Sequence, residues 1–220
     1  MSMFNPLRIE IEMATSVIQV SGYPLHLDGL IYWAIFNFLN NHDLTIHALD
    51  ETLSKSKGVY HASQAIYEKN SNKSIMPSEI TRLTVTDWKN YNEGFSHTKK
   101  SIKENEGPFC KKFNQFNAVQ VQKIIFFAHG DLKQLEFYLN SLTGIGKGAN
   151  AGFGEIRKIT LEKIIEDKSW FIDDKLNRIL PTKLFSLPRN EPVRNCRFSP
   201  NYVGSEIEEC YVPINNVMIV

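Results

Sequence analysis

Hydrophobic and polar positions alternate from Leu7 to Met13, where Leu7, Ile9, Ile11 and Met13 interleave with Arg8, Glu10 and Glu12. A period of two residues predicts a strand with one apolar and one charged face. After a turn through Ser21, Gly22, Tyr23 and Pro24 the period changes. Leu27 to Leu39 reads as a helix with Asp28 as its N-cap or first-turn acid, and its apolar residues run nearly all round. Such a helix packs on several sides. From residue 41 to about 115 the pattern becomes irregular and polar; within it Ala62 to Tyr67 predicts a short strand or helix and Thr81 to Trp88 a strand. Val119 to Ala128 predicts one continuous strand, His129-Gly130-Asp131 a turn and helix cap. Leu132, Leu135, Tyr138, Leu139 and Leu142 form one stripe of a helix over 131–142, and a strand follows over 153–161.

The order is strand–helix, insertion, strand–helix–strand. An α+β fold with a ferredoxin-like, RRM-like βαββαβ core accounts for it, one strand lying inside the insertion. The expectation is a single domain over 1–220, with a basic insertion at 41–115 and an extended tail at 167–220. Five of the nine prolines fall in the last forty residues, which predicts a tail that wraps the core rather than a second domain.

Between the second helix and the last strand runs Gly-Ile-Gly-Lys-Gly-Ala-Asn-Ala-Gly-Phe-Gly, residues 144–154, with five of the twelve glycines. A cluster this dense costs backbone entropy, so it predicts positive φ values or a close backbone approach. Lys147 puts one cation among amides that can face an anion. A Walker A loop needs Gly at 141 and Ser or Thr after the lysine, and Ser141 and Gly148 stand there instead. A dinucleotide fingerprint follows a strand and opens a helix, the reverse of the order here. A phosphate cradle for neither ATP nor NAD is left.

Charge changes the picture locally rather than globally. The net charge is +1, yet residues 1–50 carry one basic against five acidic side chains and residues 51–112 eleven against seven. A basic segment in a near-neutral chain marks either a nucleic-acid face or a solvated insertion. Cys110, Cys196 and Cys210 form no C-x-x-C pair, which disfavours a zinc or disulfide framework and fits a reducing compartment. The longest apolar stretch, Leu30 to Leu39, contains Asn37 and is too short for a bilayer, so a cytoplasmic protein without membrane contact is expected.

The six histidines show no metal-binding motif; His42 and His47 make only a weak pair, and no metal or cofactor is expected. His129 at a strand end reads as a turn or capping residue. His26, beside the first helix, is the histidine best placed to touch a ligand. Neither a G-x-S-x-G elbow nor a paired-carboxylate motif is present. RNA binding finds more support, because single-stranded RNA is held by backbone amides and cations on phosphates and by aromatic rings on bases. The glycine loop supplies Gly144, Gly146, Lys147, Gly148, Gly152, Phe153 and Gly154, with Arg157 just beyond. The insertion supplies Arg82, Lys99, Lys100, Lys111 and Lys112, with Trp88 and Phe109 as rings that core packing would equally well explain.

Four stretches carry a resemblance. They are Pro24-Leu25-His26-Leu27-Asp28-Gly29-Leu30; Ile145-Gly146-Lys147 with Gly152-Phe153-Gly154; Asp167-Lys168-Ser169-Trp170 leading to Arg178-Ile179-Leu180-Pro181; and Pro200-Asn201-Tyr202 with Glu209-Cys210-Tyr211-Val212-Pro213. In that order they resemble the RAMP-superfamily small subunit of type IV CRISPR effector complexes, in the group that caps the crRNA 5′ handle. The resemblance implies a non-catalytic subunit that binds that handle and contacts a large subunit and the first filament backbone subunit. It leaves open a contact with target DNA near the PAM duplex. The alternative is a RAMP endoribonuclease that processes precursor crRNA, which shares the core and the loop.

Overall fold

The computed structural model describes residues 4–15, 17–19, 24–68, 77–84, 112–146, 149, 152–187, 191–202, 204–213 and 217–218, with backbone alone at 17–19, 77–84, 112–120 and 217–218. The chain opens with β1 (Asn5–Met13), whose Leu7, Ile9, Ile11 and Met13 are buried as their alternation predicts, followed by β2 (Val17–Gln19). Helix α1 (Leu27–Leu39) buries Leu27, Leu30, Ile31, Ala34 and Ile35. The segment expected to be irregular instead begins with a second helix, α2 (His42–Thr52), capped by Asn41, whose side chain accepts a hydrogen bond from the Leu44 amide. Its buried residues, Thr45, Leu49 and Thr52, make a stripe one residue wide, and two of the three are polar.

Then come the short strands β3 (Lys55–Ser56) and β4 (Val59–Tyr60), joined at Lys57 and Gly58, both at positive φ, and β5 (Ile66–Glu68). Strands β6 (Pro77–Thr84) and β7 (Lys112–Gln120) pair antiparallel, Pro77 with Val119 through to Thr84 with Lys112. The run expected as one strand is in fact two, because β8 (Lys123–Gly130) starts afresh after Val121 and Gln122. The carbonyl of Gln122 accepts from the Met13 amide, while Ala14 donates to Glu155, so β1 and β8 leave their common ladder at the same place. His129 and Gly130 belong to β8, and Asp131 caps α3 (Leu132–Asn140) by accepting from the amides of Lys133 and Gln134.

The last long strand is β9 (Ile156–Lys163). Beyond it lie β10 (Phe171–Ile172), β11 (Lys175–Leu176), β12 (Leu180–Pro181), β13 (Val193–Cys196), β14 (Glu208–Tyr211) and β15 (Val217–Met218). The central sheet has the order β15-β5-β8-β1-β9, antiparallel except for β15 on β5. The protein is therefore α+β, with an antiparallel sheet and few helices. The main core lies on one face of that sheet, where Leu7, Ile9, Ile11, Ile124 and Phe126 meet α1, α2 and α3. On the other face Ile66, Ile125, Phe127 and Ile172 form a smaller cluster. There the charged side of β1 is neutralised by pairing: Glu10 binds Arg8 at 2.8 Å and Lys123 at 2.6 Å.

Candidate nucleic-acid interface

The glycine-rich stretch folds as a stem with a tip. Ile145 donates to the carbonyl of Gly154 at 2.8 Å and Ile156 to that of Thr143 at 3.1 Å, with Gly144 bridged to Glu155 between them. Ile145 is wholly buried, so the stem is anchored in the core. Gly154 sits at φ 61, and a Cβ there would lie 2.0 Å from the Ile145 carbonyl oxygen. No other residue fits. At Gly152, φ 86, a Cβ would meet nothing, and glycine serves only to reverse the chain.

Gly144, Gly146, Gly152, Phe153, Gly154 and Arg157 are thus brought together, the first five in the loop and Arg157 exposed on the outer strand β9. Lys147 and Gly148 lie outside the described residues, as do Lys99, Lys100 and Lys111. Arg82 and Lys112 belong to the β6–β7 ribbon, where Arg82 pairs with Asn114 and Lys112 with Thr84. A cleft of about 590 Å³ opens on the sheet face away from the helices, with Ile66, Ile125, Phe127, Ile164 and Ile172 in its wall. Its Arg8 is already held by Glu10 and Glu162.

His26 does not join the loop. It is 4 % exposed, its ring stacks on Tyr202 at 5.5 Å, and its Nε2 has no hydrogen-bond partner among the described residues. Burial, reinforced by the Arg178 guanidinium, lowers its pKa to about 3. The ring expected to touch a ligand is a neutral core group. Of the two roles expected for Asp28, the structure keeps the first-turn acid and not the N-cap, which is His26 without a side-chain bond; Asp28 is fully buried in an ion pair with Arg178.

That pair is the centre of a dry polar cluster. Arg178 donates to Asp28 Oδ2 at 2.6 Å, to the carbonyl of Phe198 at 2.9 Å and to that of Ala62. The Tyr202 hydroxyl donates to Asp28 Oδ1 at 2.8 Å, and the Gly29 amide to the same oxygen at 3.0 Å. Burial alone would lower the Arg178 pKa, but the Asp28 carboxylate outweighs it and holds the guanidinium charged. Three of the four stretches singled out in the sequence meet here, from α1, the segment before β12 and the segment before β14.

A second cluster gathers residues that sequence reasoning left apart. His61 Nδ1 lies 2.6 Å from Asp167 Oδ2, and the His61 ring stacks on Trp170 at 4.1 Å. His129, read as a capping residue, stands edge-on to His61 with ring centres 5.9 Å apart. Burial, with His61 adding to it, lowers the His129 pKa against the opposing pull of Asp167. Burial would raise the pKa of Asp167, yet hydrogen bonds from His61 and Ser169 bring it below the usual carboxylate value. The one signal in the sequence was the Asp167-Lys168-Ser169-Trp170 stretch; nothing paired it with His61, 106 residues away.

The family model described as CRISPR type IV associated protein Csf3 matches residues 5–196. The chain belongs to that family. The match runs from β1 through the glycine loop and Arg178 to the end of β13, so the elements that build both clusters lie within it apart from Phe198 and Tyr202. The family implies association with other subunits of a type IV CRISPR complex. No match was found among curated proteins. Among the described residues no helix is long and apolar enough to cross a membrane.

Proposed function

We propose that this member of the Csf3 family is the RAMP-type, non-catalytic subunit that holds the 5′ handle of crRNA in a type IV CRISPR ribonucleoprotein. The sheet supports the RAMP assignment: with the intervening β2, α2, β3, β4, β6 and β7 set aside, β1, α1, β5, β8, α3 and β9 come in the order βαββαβ, and the sheet order β5-β8-β1-β9 matches that of a ferredoxin-like core. The observation that carries the RNA reading is the glycine loop at the junction of α3 and β9. Its base is packed so tightly that only glycine fits at 154, and the sequence puts Lys147 between the two stem strands. Backbone amides bind phosphate without any side chain, and a lysine adds the charge. Arg157, exposed on β9, adds a cation beside the loop, and the sequence adds Arg82 and Lys112 in the β6–β7 ribbon.

Partner subunits have a candidate face of their own. On the helix layer Trp33, Phe38, Leu44 and Phe137 are each more than half exposed, and Phe38 stacks on Phe137 at 5.6 Å. Apolar area gathered this way is suited to burial against another protein. Co-expression with the other effector subunits and crRNA tests the whole reading: the chain co-purifies with crRNA, and Phe137→Asp releases it from its neighbours. Failure to recover crRNA overturns the proposal. Lys147→Ala and Arg157→Ala each lower RNA affinity and flatten its salt dependence by roughly one unit or less of slope per phosphate contact.

One observation favours the endoribonuclease alternative, namely two imidazoles 5.9 Å apart with a carboxylate on one of them. That arrangement suits general acid–base chemistry on a phosphodiester. Metal-independent cutting of labelled repeat RNA that His61→Ala abolishes would select it over the capping role.

A further inference from the structure

His61, His129 and Asp167 come from three separate stretches: the loop after β4, the end of β8 and the segment after β9. Each can offer one donor atom, and the three atoms lie within 4.8 Å of one another. What distinguishes them from an ordinary His–Asp pair is the outer ring of partners. His61 has its Nε2 on the Ser56 hydroxyl at 2.9 Å, which turns Nδ1 to the carboxylate. His129 has its Nδ1 on the Ser54 hydroxyl at 2.8 Å, leaving Nε2 without a hydrogen bond among the described residues. Asp167 has its Oδ1 on the Ser169 amide at 2.9 Å, leaving Oδ2 for the shared space. Metal-binding imidazoles characteristically spend their second nitrogen on such a partner, which fixes the tautomer and the ring orientation. Trp170 backs the His61 ring and donates its own N–H to the Tyr60 carbonyl at 3.0 Å, so that ring is held from behind.

We propose that His61, His129 and Asp167 bind a zinc ion. Two neutral imidazoles and one carboxylate are a donor set that Zn²⁺ accepts in tetrahedral geometry, with a water in the fourth position. Bonds of about 2.0–2.2 Å bring the donors closer than the present triangle. Closure therefore needs a shift of the imidazoles, the swing of Oδ2 from His61 Nδ1 onto the ion, and movement of the His61 ring proton from Nδ1 to Nε2, where it is donated to the Ser56 hydroxyl oxygen. Bound zinc would tie the segment after β9 to the central sheet at the edge of the apolar cleft, whose wall includes Glu166 and Lys168.

The test uses the full-length, tag-free protein stripped of metal by chelation. Titration with Co²⁺ produces a visible absorption band that saturates at one equivalent and is bleached by Zn²⁺. His129→Ala and Asp167→Asn each lose the band, whereas His47→Ala keeps it. X-ray absorption of the zinc-loaded, unsubstituted chain then shows two imidazole nitrogens among light-atom ligands. A band that survives both His129→Ala and Asp167→Asn overturns the proposal, as does no band at all. Sulfur in the zinc shell also overturns it, since that places the ion on Cys196 and Cys210 or on Cys110. The absorption measurement needs no variant, so a substitution that fails to fold leaves the question decidable.

Discussion

Two polar clusters tie the segment beyond β9 to the body of this protein, and they differ in how far solvent reaches them. Around Arg178 the ion pair with Asp28 has no exposed side-chain surface, and both carboxylate oxygens are bonded. Around His61 the paired side chains keep 18 % and 29 % of their surface, and a neighbouring imidazole has a nitrogen to spare. The first arrangement can only hold. It is closed to solvent, its carboxylate is fully bonded, and no ligand could enter without breaking a buried ion pair. The second retains what a ligand requires, exposed surface beside an unspent imidazole nitrogen, which is why a site is proposed there and not at the buried cluster.

The comparison breaks most visibly at Arg178. Removing one member of a buried pair leaves the other charge without compensation, so Arg178→Ala should destabilise by about 3–5 kcal/mol. Urea unfolding followed by Trp fluorescence measures it, and a loss below about 1 kcal/mol would mean that Asp28 finds solvent the structure denies it. The paired replacement Asp28→Leu with Arg178→Met sharpens the point. Because desolvation of two charges offsets much of their attraction, the double variant should recover most of the stability.

Next in size is an effect of acid on His26. Its folded pKa of about 3 lies far below the ordinary value of about 6.5, so the unfolded chain takes up the proton first. Stability is full above pH 6.5 and falls as the pH drops toward 3, with a slope approaching about 1.4 kcal/mol per pH unit for one proton. His26→Phe keeps the stacking on Tyr202 and removes the titrating ring and its orphaned Nε2. The difference between the two urea midpoints should therefore widen in favour of the variant from pH 7 to pH 4. Parallel pH curves would place the His26 ring in contact with water.

What was legible in the sequence follows the same division between local and distant causes. Strand β1 was plain because its alternation is its burial pattern, Leu7, Ile9 and Ile11 in and Arg8, Glu10 and Glu12 partly out. The glycine loop was placed between helix and strand for a similar reason. Helix α2 was hidden, since Leu49 is the single apolar residue among its three buried ones. The break between β7 and β8 was hidden too: Val119-Gln120-Val121-Gln122 keeps the apolar–polar alternation of a strand in sequence, and the break coincides with β1 turning to Glu155, thirty-three residues beyond Gln122. Asp28 was legible as a first-turn acid, but its pairing was not, because its partner Arg178 is 150 residues away. Short-range rules placed the acid at the helix start and left out the buried ion pair.

The smallest expected effect falls on the open cluster. Asp167 has a lowered pKa, so its carboxylate contributes stability above the unfolded carboxylate range that is lost as the pH falls through the lower folded value. For a pair this exposed, Asp167→Asn should cost at most about 1 kcal/mol at neutral pH in metal-free buffer. Zinc changes the ranking. A ligand at a hundred times its Kd adds about 2.7 kcal/mol to the folded state, and Asp167→Asn would forfeit that as well. The same variant measured with and without zinc should thus move from a surface-like loss to one approaching that of Arg178→Ala. Equal losses in the two buffers would leave the His61 cluster an ordinary ion pair, and the contrast between the two clusters would be one of exposure alone.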